Sequence, residues 1–139
     1  IANQSVIARG WLTEKELAVI HQTIEKRLKR KKAILDAIYY CPHHPNATSP
    51  EYRKDCPDRK PNIGLLQKAV KEFHTSLVNA FFIGDSTTDM KTAMNAGIRP
   101  ILVKTGYGAK VAREKLITPN IVVNNLYSAV SFIEKEIRK

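Results

Sequence analysis

An apolar run that ends in glycine and a carboxylate is the strongest chemical signal in this 139-residue sequence. The run Phe81–Ile83 has the composition of a buried strand, and Gly84 and Asp85 follow where such a strand would end. Mg²⁺ prefers one or two carboxylates together with water and phosphate oxygens. We therefore expect Asp85 to bind Mg²⁺, and we expect Asp89 only to favour the first turn of the helix that follows.

A cationic pair lies one predicted helix and one predicted strand ahead of Asp85. Arg59 and Lys60 precede Pro61, a residue that suits the first turn of a helix. A lysine there can neutralise phosphoryl oxygens, and an arginine can hold a second anionic group through two parallel hydrogen bonds. Lys60 and Asp85 together predict half of a phosphate and magnesium site.

Alternating helices and strands must position these residues. A capping box at Thr13 and Glu16 starts the first long helix. Further periodic patterns predict helices at about 14–31, 62–73 and 87–96 and from Leu126 onward, and strands at 37–40, 80–83, 100–103 and 121–123. This alternation favours parallel strands in a three-layer α/β domain, in which ligands bind beyond the carboxyl ends of the strands.

The composition indicates one compact domain, residues 1–139, with an anionic partner. Lys and Arg number 23 against 13 Asp and Glu, a net charge of +10. The densest basic run, residues 26–32, is better explained as a solvated helix end than as a polyanion site. It lacks interleaved aromatic residues, so nucleic acid is not expected. No apolar run reaches the ~20 residues that span a bilayer, and we expect a cytoplasmic monomer without a membrane partner.

The two cysteines favour a metal site. Cys41 has His43 nearby, and Cys56 has Asp58 nearby. In a reducing compartment such a pair indicates metal ligation rather than a disulfide.

Four strings give the chain a family resemblance: residues 3–10, 39–45, 59–61 and 84–90. Together they resemble phosphatases of the haloacid dehalogenase superfamily, in the branch that acts on heptose bisphosphate and histidinol phosphate. The resemblance covers nearly the whole chain and implies a Rossmann-like parallel sheet. It also implies removal of the 7-phosphate from D-glycero-D-manno-heptose 1,7-bisphosphate in lipopolysaccharide biosynthesis, with histidinol phosphate as the alternative substrate.

The same resemblance assigns roles to individual residues. Lys60 would stabilise the phosphoryl group, Arg59 would recognise substrate, and Asp85 would bind Mg²⁺. The residues that would line the phosphate pocket are Asn3, Gln4 and Ser5. Structural zinc would be held by Cys41, His43, Cys56 and Asp58.

In this family an aspartate attacks phosphorus, and a second aspartate two residues later acts as acid and base. The aspartates of this sequence are Asp36, Asp55, Asp58, Asp85 and Asp89, and no two have that spacing. The matched region begins at the family's second motif. We therefore expect that the first strand is missing and that the chain alone is inactive.

Two substitutions make a non-catalytic reading a real alternative. Ala2 and Val6 stand where the family usually has threonine and glycine, and both changes are expected to slow catalysis. In that reading the chain is a truncated remnant, or a module that binds polyanions through its basic surface.

Overall fold

The structure, a computed structural model, describes residues 1–115, 117 and 119–138. The chain forms two compact units, of which the first is Ile1–Arg59 and the second begins at Lys60. Every strand pairing within the described residues is parallel. This agrees with the α/β class that the sequence predicts.

The first unit contains a small parallel sheet. Strand β1 (Ala2–Asn3) pairs with β2 (Tyr40–Cys41), and Asn3 lies opposite Cys41. A short helix, α1 (Ser5–Ala8), follows β1 directly. The sheet therefore brings the start of the chain beside the first cysteine.

The second helix, α2 (Glu14–Arg30), confirms the predicted helix and its start. The Glu16 N–H donates to Thr13 Oγ1 at 3.2 Å, and the Thr13 N–H donates to the Glu16 carboxylate at 2.8 Å. These two bonds form the predicted capping box. Basic residues fill the last turn, where the helix dipole favours cations.

The second unit contains a three-stranded parallel sheet in the order β3-β4-β5. Its strands are β3 (Phe81–Gly84), β4 (Arg99–Val103) and β5 (Ile121–Val123). Its helices are α3 (Gly64–Glu72), α4 (Thr87–Asn95), α5 (Gly108–Glu114) and α6 (Leu126–Ile137).

Helices cover both faces of this sheet. On β4, Leu102 packs with Met90 of α4 and Val111 of α5. The neighbouring Ile101 packs on the other side, with Ala129 of α6. Successive strand residues point to opposite faces, so this alternation confirms three layers in the second unit.

Some local elements differ from the sequence prediction, and one of them is α1, which lies in a segment predicted as a loop. The strand expected at 37–40 includes only Tyr40 of those residues and continues to Cys41, because its partner β1 is only two residues long. Helix α5 was not predicted, since Gly106 and Gly108 favour a loop. It forms where Val111 can pack against the sheet. Among the described residues, no helix combines the length and the apolar character needed to cross a bilayer.

Two methionines on α4 provide a matched test of this core. Met90 is fully buried, whereas Met94 is 61% exposed. Met90→Ala should lower the free energy of unfolding by about 2 to 5 kcal/mol, because it removes buried apolar contacts and leaves a cavity. Met94→Ala should change it by less than about 0.5 kcal/mol. Urea unfolding of both variants measures the difference, and equal losses would contradict this packing.

Candidate active site

Asp85 lies immediately after β3, at the carboxyl edge of the second unit's sheet. Its Oδ2 accepts a hydrogen bond from the Tyr107 N–H at 3.0 Å, so the loop after β4 holds this carboxylate in place. Gly106 allows this loop to lie close to the Asp85 carboxylate. Its φ is +61°, and a side chain there would overlap the Asp85 carboxylate. The carboxyl ends of β3 and β4 thus meet around the predicted magnesium ligand.

Lys60 forms an ion pair with Asp89, and their nitrogen and oxygen atoms are 2.5 Å apart. The two side chains are only 12% and 9% exposed. Asp89 Oδ2 also accepts hydrogen bonds from the Ser86 N–H at 3.2 Å and the Ser86 hydroxyl at 2.6 Å. The expectation that Asp89 only favours the first helical turn is therefore corrected, because Asp89 both caps α4 and pairs with Lys60.

Two further contacts fix this pair. A side chain at Gly84 would overlap Asp89, so glycine is required where β3 passes the carboxylate. The Asn95 amide donates to the Pro61 carbonyl at 3.0 Å, which ties the segment after Lys60 to α4. Lys60 and Asp89 are 29 positions apart, and no local pattern in the sequence indicates that they pair.

The Asp89 carboxyl is held in its charged form. Burial raises the pKa of Asp89, but hydrogen bonds from Lys60 and Ser86 lower it more, so its pKa lies below the usual value. The second unit thus presents a lysine and a carboxylate with fixed partners, and a second carboxylate, Asp85, at the strand edge.

Within the first unit, Arg59 contacts Ser5, one of the residues predicted to line the phosphate pocket. Its Nη1 donates to the Ser5 hydroxyl at 3.1 Å and to the His43 carbonyl at 3.0 Å. Gln4 lies beside Ser5, and its N–H donates to the Cys41 carbonyl at 2.8 Å. The structure therefore brings Arg59 together with Ser5 and with the backbone of the cysteine loop.

The positions of Ala2 and Val6 are now defined. Ala2 lies in β1, where its N–H donates to the Tyr39 carbonyl at 2.9 Å. Val6 lies inside α1, and its carbonyl accepts from the Trp11 N–H at 2.9 Å. Because α1 forms with valine at this position, the local backbone accommodates a side chain there.

Three of the four predicted zinc ligands lie together in the first unit. The ligand atoms of Cys41, His43 and Cys56 are all within 4.8 Å of one another. Cys41 Sγ and His43 Nδ1 are 3.7 Å apart. A tetrahedral zinc ion with bonds of about 2.3 Å to sulfur and 2.0 Å to nitrogen places such atoms roughly 3.5 Å apart. The cluster fits a metal of this kind.

Asp58 is not among these three mutually close residues, and its role as the fourth ligand stays a prediction. Asp58 lies in a tight turn that the Arg59 N–H closes by donating to the Cys56 carbonyl at 3.0 Å. This turn reverses the chain directly after Cys56.

Burial raises the pKa of the Cys41 thiol to about 11, and the neighbouring Cys56 also raises it. A coordinated divalent cation would act in the opposite direction, because it binds the thiolate.

Sequence comparison identifies the family. The model of the HAD-hydrolase-like family matches residues 58–129, just over half of the chain. The chain belongs to this family. The matched range includes Lys60, Asp85 and Asp89.

Two relatives and one solved structure extend this match. A D-glycero-beta-D-manno-heptose-1,7-bisphosphate 7-phosphatase of Photorhabdus laumondii is 38% identical, over 91% of this chain and 66% of its own length. The Escherichia coli protein of the same name is 34% identical, over 98% and 71%. The crystal structure of D,D-heptose 1,7-bisphosphate phosphatase from B. bronchiseptica, complexed with magnesium and phosphate, has a TM-score of 0.81 at 30% identity. That match covers 99% of this chain and 72% of the other. The chain thus spans about two thirds of the Photorhabdus relative and slightly more of the other two proteins.

The Lys60–Asp89 pair can be tested against an exposed ion pair in the same unit. Asp89→Asn removes the charged carboxylate that pairs with the buried ammonium of Lys60, and we expect a loss of about 2 to 4 kcal/mol in unfolding free energy. The exposed pair of Lys110 and Glu114 provides the control, since Glu114→Gln should cost less than about 0.5 kcal/mol. Urea unfolding at neutral pH measures both, and similar losses would contradict a stabilising buried pair.

The same variant predicts a pH dependence. The folded-state pKa of Asp89 lies below its ordinary value of 3.8, so its contribution to stability is present above that value. It is lost as pH falls through the lower folded-state pKa. The stability difference between the wild type and Asp89→Asn should therefore shrink below about pH 4.

Proposed function

We propose that this chain provides the phosphoryl-binding and magnesium-binding part of a phosphatase for D-glycero-D-manno-heptose 1,7-bisphosphate. The reaction would remove the 7-phosphate. The observation that carries the proposal is the pairing of Lys60 with buried Asp89 beside Asp85, in a chain whose relatives have this activity in their names.

The paired lysine suits binding of a phosphoryl group. A lysine ammonium has three N–H donors, and the Asp89 carboxylate takes one of them. The ion pair limits the rotamers of Lys60, so little reorganisation is needed when an anion binds. Lys60 would neutralise charge that develops on the transferred group.

The donor set at the strand edge fits magnesium. Asp85 provides a hard carboxylate oxygen whose position is fixed by the Tyr107 N–H. When bound there, Mg²⁺ supplies further neutralisation of phosphoryl oxygens. Asp85 would hold the ion, and Arg59 would bind a second anionic group of the substrate.

The nucleophile has no counterpart among the aspartates of this sequence. None of the five has a second aspartate two residues away. The covalent step needs such a carboxylate, so we propose that the chain has no phosphatase activity without a strand that provides one.

The test adds such a strand. An Asp-x-Asp-Gly-Thr strand is joined ahead of Ile1, and phosphate release is measured with Mg²⁺ for heptose bisphosphate and for histidinol phosphate. We expect no turnover by the chain alone, and turnover by the fusion with at least a tenfold preference for the heptose, a margin of about 1.4 kcal/mol. A preference for histidinol phosphate would overturn the proposed substrate.

A matched pair of lysines tests the phosphoryl site in the fusion. Lys60→Ala should lower kcat by about 10² to 10³-fold, because it removes a fixed charge at the transferred group. Lys71→Ala, an exposed change on α3 with the same loss of charge, should have no effect on kcat. If both variants retain full activity, Lys60 has no role at the transferred group. If the fusion is inactive but binds polyanions in a salt-sensitive manner, the non-catalytic alternative is correct.

We also propose that Cys41, His43 and Cys56 hold structural zinc, with the Asp58 side chain turning to complete the site. The ligand atoms of Cys41, His43 and Cys56 lie within 4.8 Å of one another, and carboxylate oxygen is a known fourth ligand type. Cys41 and Cys56 are not joined in a disulfide, which suits the cytoplasmic location that we also propose.

Cobalt binding to the chain tests the zinc set. We expect one Co²⁺ with a sulfur charge-transfer band, and loss of that band in Cys56→Ser. Asp58→Asn should weaken binding by at least about tenfold, whereas Asp55→Asn, an exposed change on the same loop, should not. Equal affinity for both aspartate variants would show that Asp58 is not a ligand.

A further inference from the structure

The Glu14 carboxylate accepts hydrogen bonds from two tyrosine hydroxyls in the first unit. The Tyr40 hydroxyl donates to Oε2 at 2.7 Å, and the Tyr52 hydroxyl donates to Oε1 at 2.9 Å. Each carboxylate oxygen therefore accepts one hydrogen bond from a tyrosine hydroxyl. The hydrogen bond to Glu14 raises the pKa of Tyr40 to about 12 and also raises the pKa of Tyr52, as expected when the protonated phenol is the donor.

The two tyrosines belong to the segments that carry the metal ligands. Tyr40 directly precedes Cys41 on β2. Tyr52 contacts the histidines that follow Cys41. Its carbonyl accepts from the His44 N–H at 3.1 Å, and its ring centroid is 5.9 Å from that of His43. The two phenols thus connect one carboxylate to both sides of the cysteine and histidine loop.

Glu14 itself has a fixed position. It is the first residue of α2, whose start is set by the capping box at Thr13 and Glu16. Leu17, one turn later, is buried and anchors the same end of the helix. The carboxylate is therefore held by a helix rather than by the loop that it contacts.

We propose that Glu14 is a positioning residue for the metal cluster of Cys41, His43 and Cys56. Through its two phenol hydrogen bonds it sets the separation of the two ligand-bearing segments. This inference rests on the zinc site proposed above. It assigns Glu14 no contact with the metal.

The test measures Co²⁺ affinity and the sulfur-to-cobalt charge-transfer band of the whole chain. Glu14→Ala should weaken Co²⁺ binding about tenfold, the lower end of the effect of outer partners of metal ligands. Glu25→Ala removes an exposed glutamate from the same helix and should bind as the wild type does. Glu14→Gln should recover most of the affinity, because its amide can accept from one phenol and donate to the other.

Variants of the two tyrosines test the same effect through the same measurement, the affinity for Co²⁺. The double variant Tyr40→Phe, Tyr52→Phe keeps Glu14 at the helix start but removes both hydroxyls, and it should reproduce the tenfold loss. Adding Glu14→Ala to it should cause no further loss, since the three groups act as one unit.

Two results would overturn the inference, and they are distinguishable. If wild type binds Co²⁺ and Glu14→Ala binds it equally, with only the thermal stability of the metal-free chain lowered, then Glu14 is structural and the zinc proposal stands. If wild type binds no Co²⁺, both proposals fail.

Discussion

The buried ion pair between Lys60 and Asp89 determines the arrangement of the site in the second unit. Removing two charges from water costs several kcal/mol each, so such a pair persists only when its geometry is well satisfied. Here the Ser86 hydroxyl donates a further hydrogen bond to the Asp89 carboxylate, and Gly84 leaves room for that carboxylate. The pair therefore fixes a cation beside the strand edge where Asp85 lies.

Parallel pairing explains why the polar groups collect at that edge. In β3 and β4 the carboxyl ends point the same way, so the residues after both strands share one side of the sheet. Gly106 then allows the loop after β4 to contact Asp85 through the backbone of Tyr107. The donor to Asp85 is an uncharged backbone N–H, so this hydrogen bond does not neutralise the carboxylate.

Local sequence patterns predicted most of the elements and several of the site residues. The capping box at Thr13 gave the start of α2, and β5 has the predicted bounds at Ile121–Val123. Asp85 was predicted from the apolar strand before it, and the grouping of Cys41 with Cys56 from the chemistry of thiols. These signals extend over a few residues, and the forces that produce them act between near neighbours in the chain.

The folded chain adds long-range hydrogen bonds and ion pairs that no local sequence pattern indicates. Lys60 meets Asp89 across 29 positions, Arg59 meets Ser5 across 54, and Glu14 meets Tyr52 across 38. Residue types and spacing thus determined the class of fold and indicated candidate ligands. Tertiary packing selected the partners of these charged groups. The reason is physical: a hydrogen bond or ion pair depends on atoms within about 3 Å, and only the folded backbone sets that distance between remote residues.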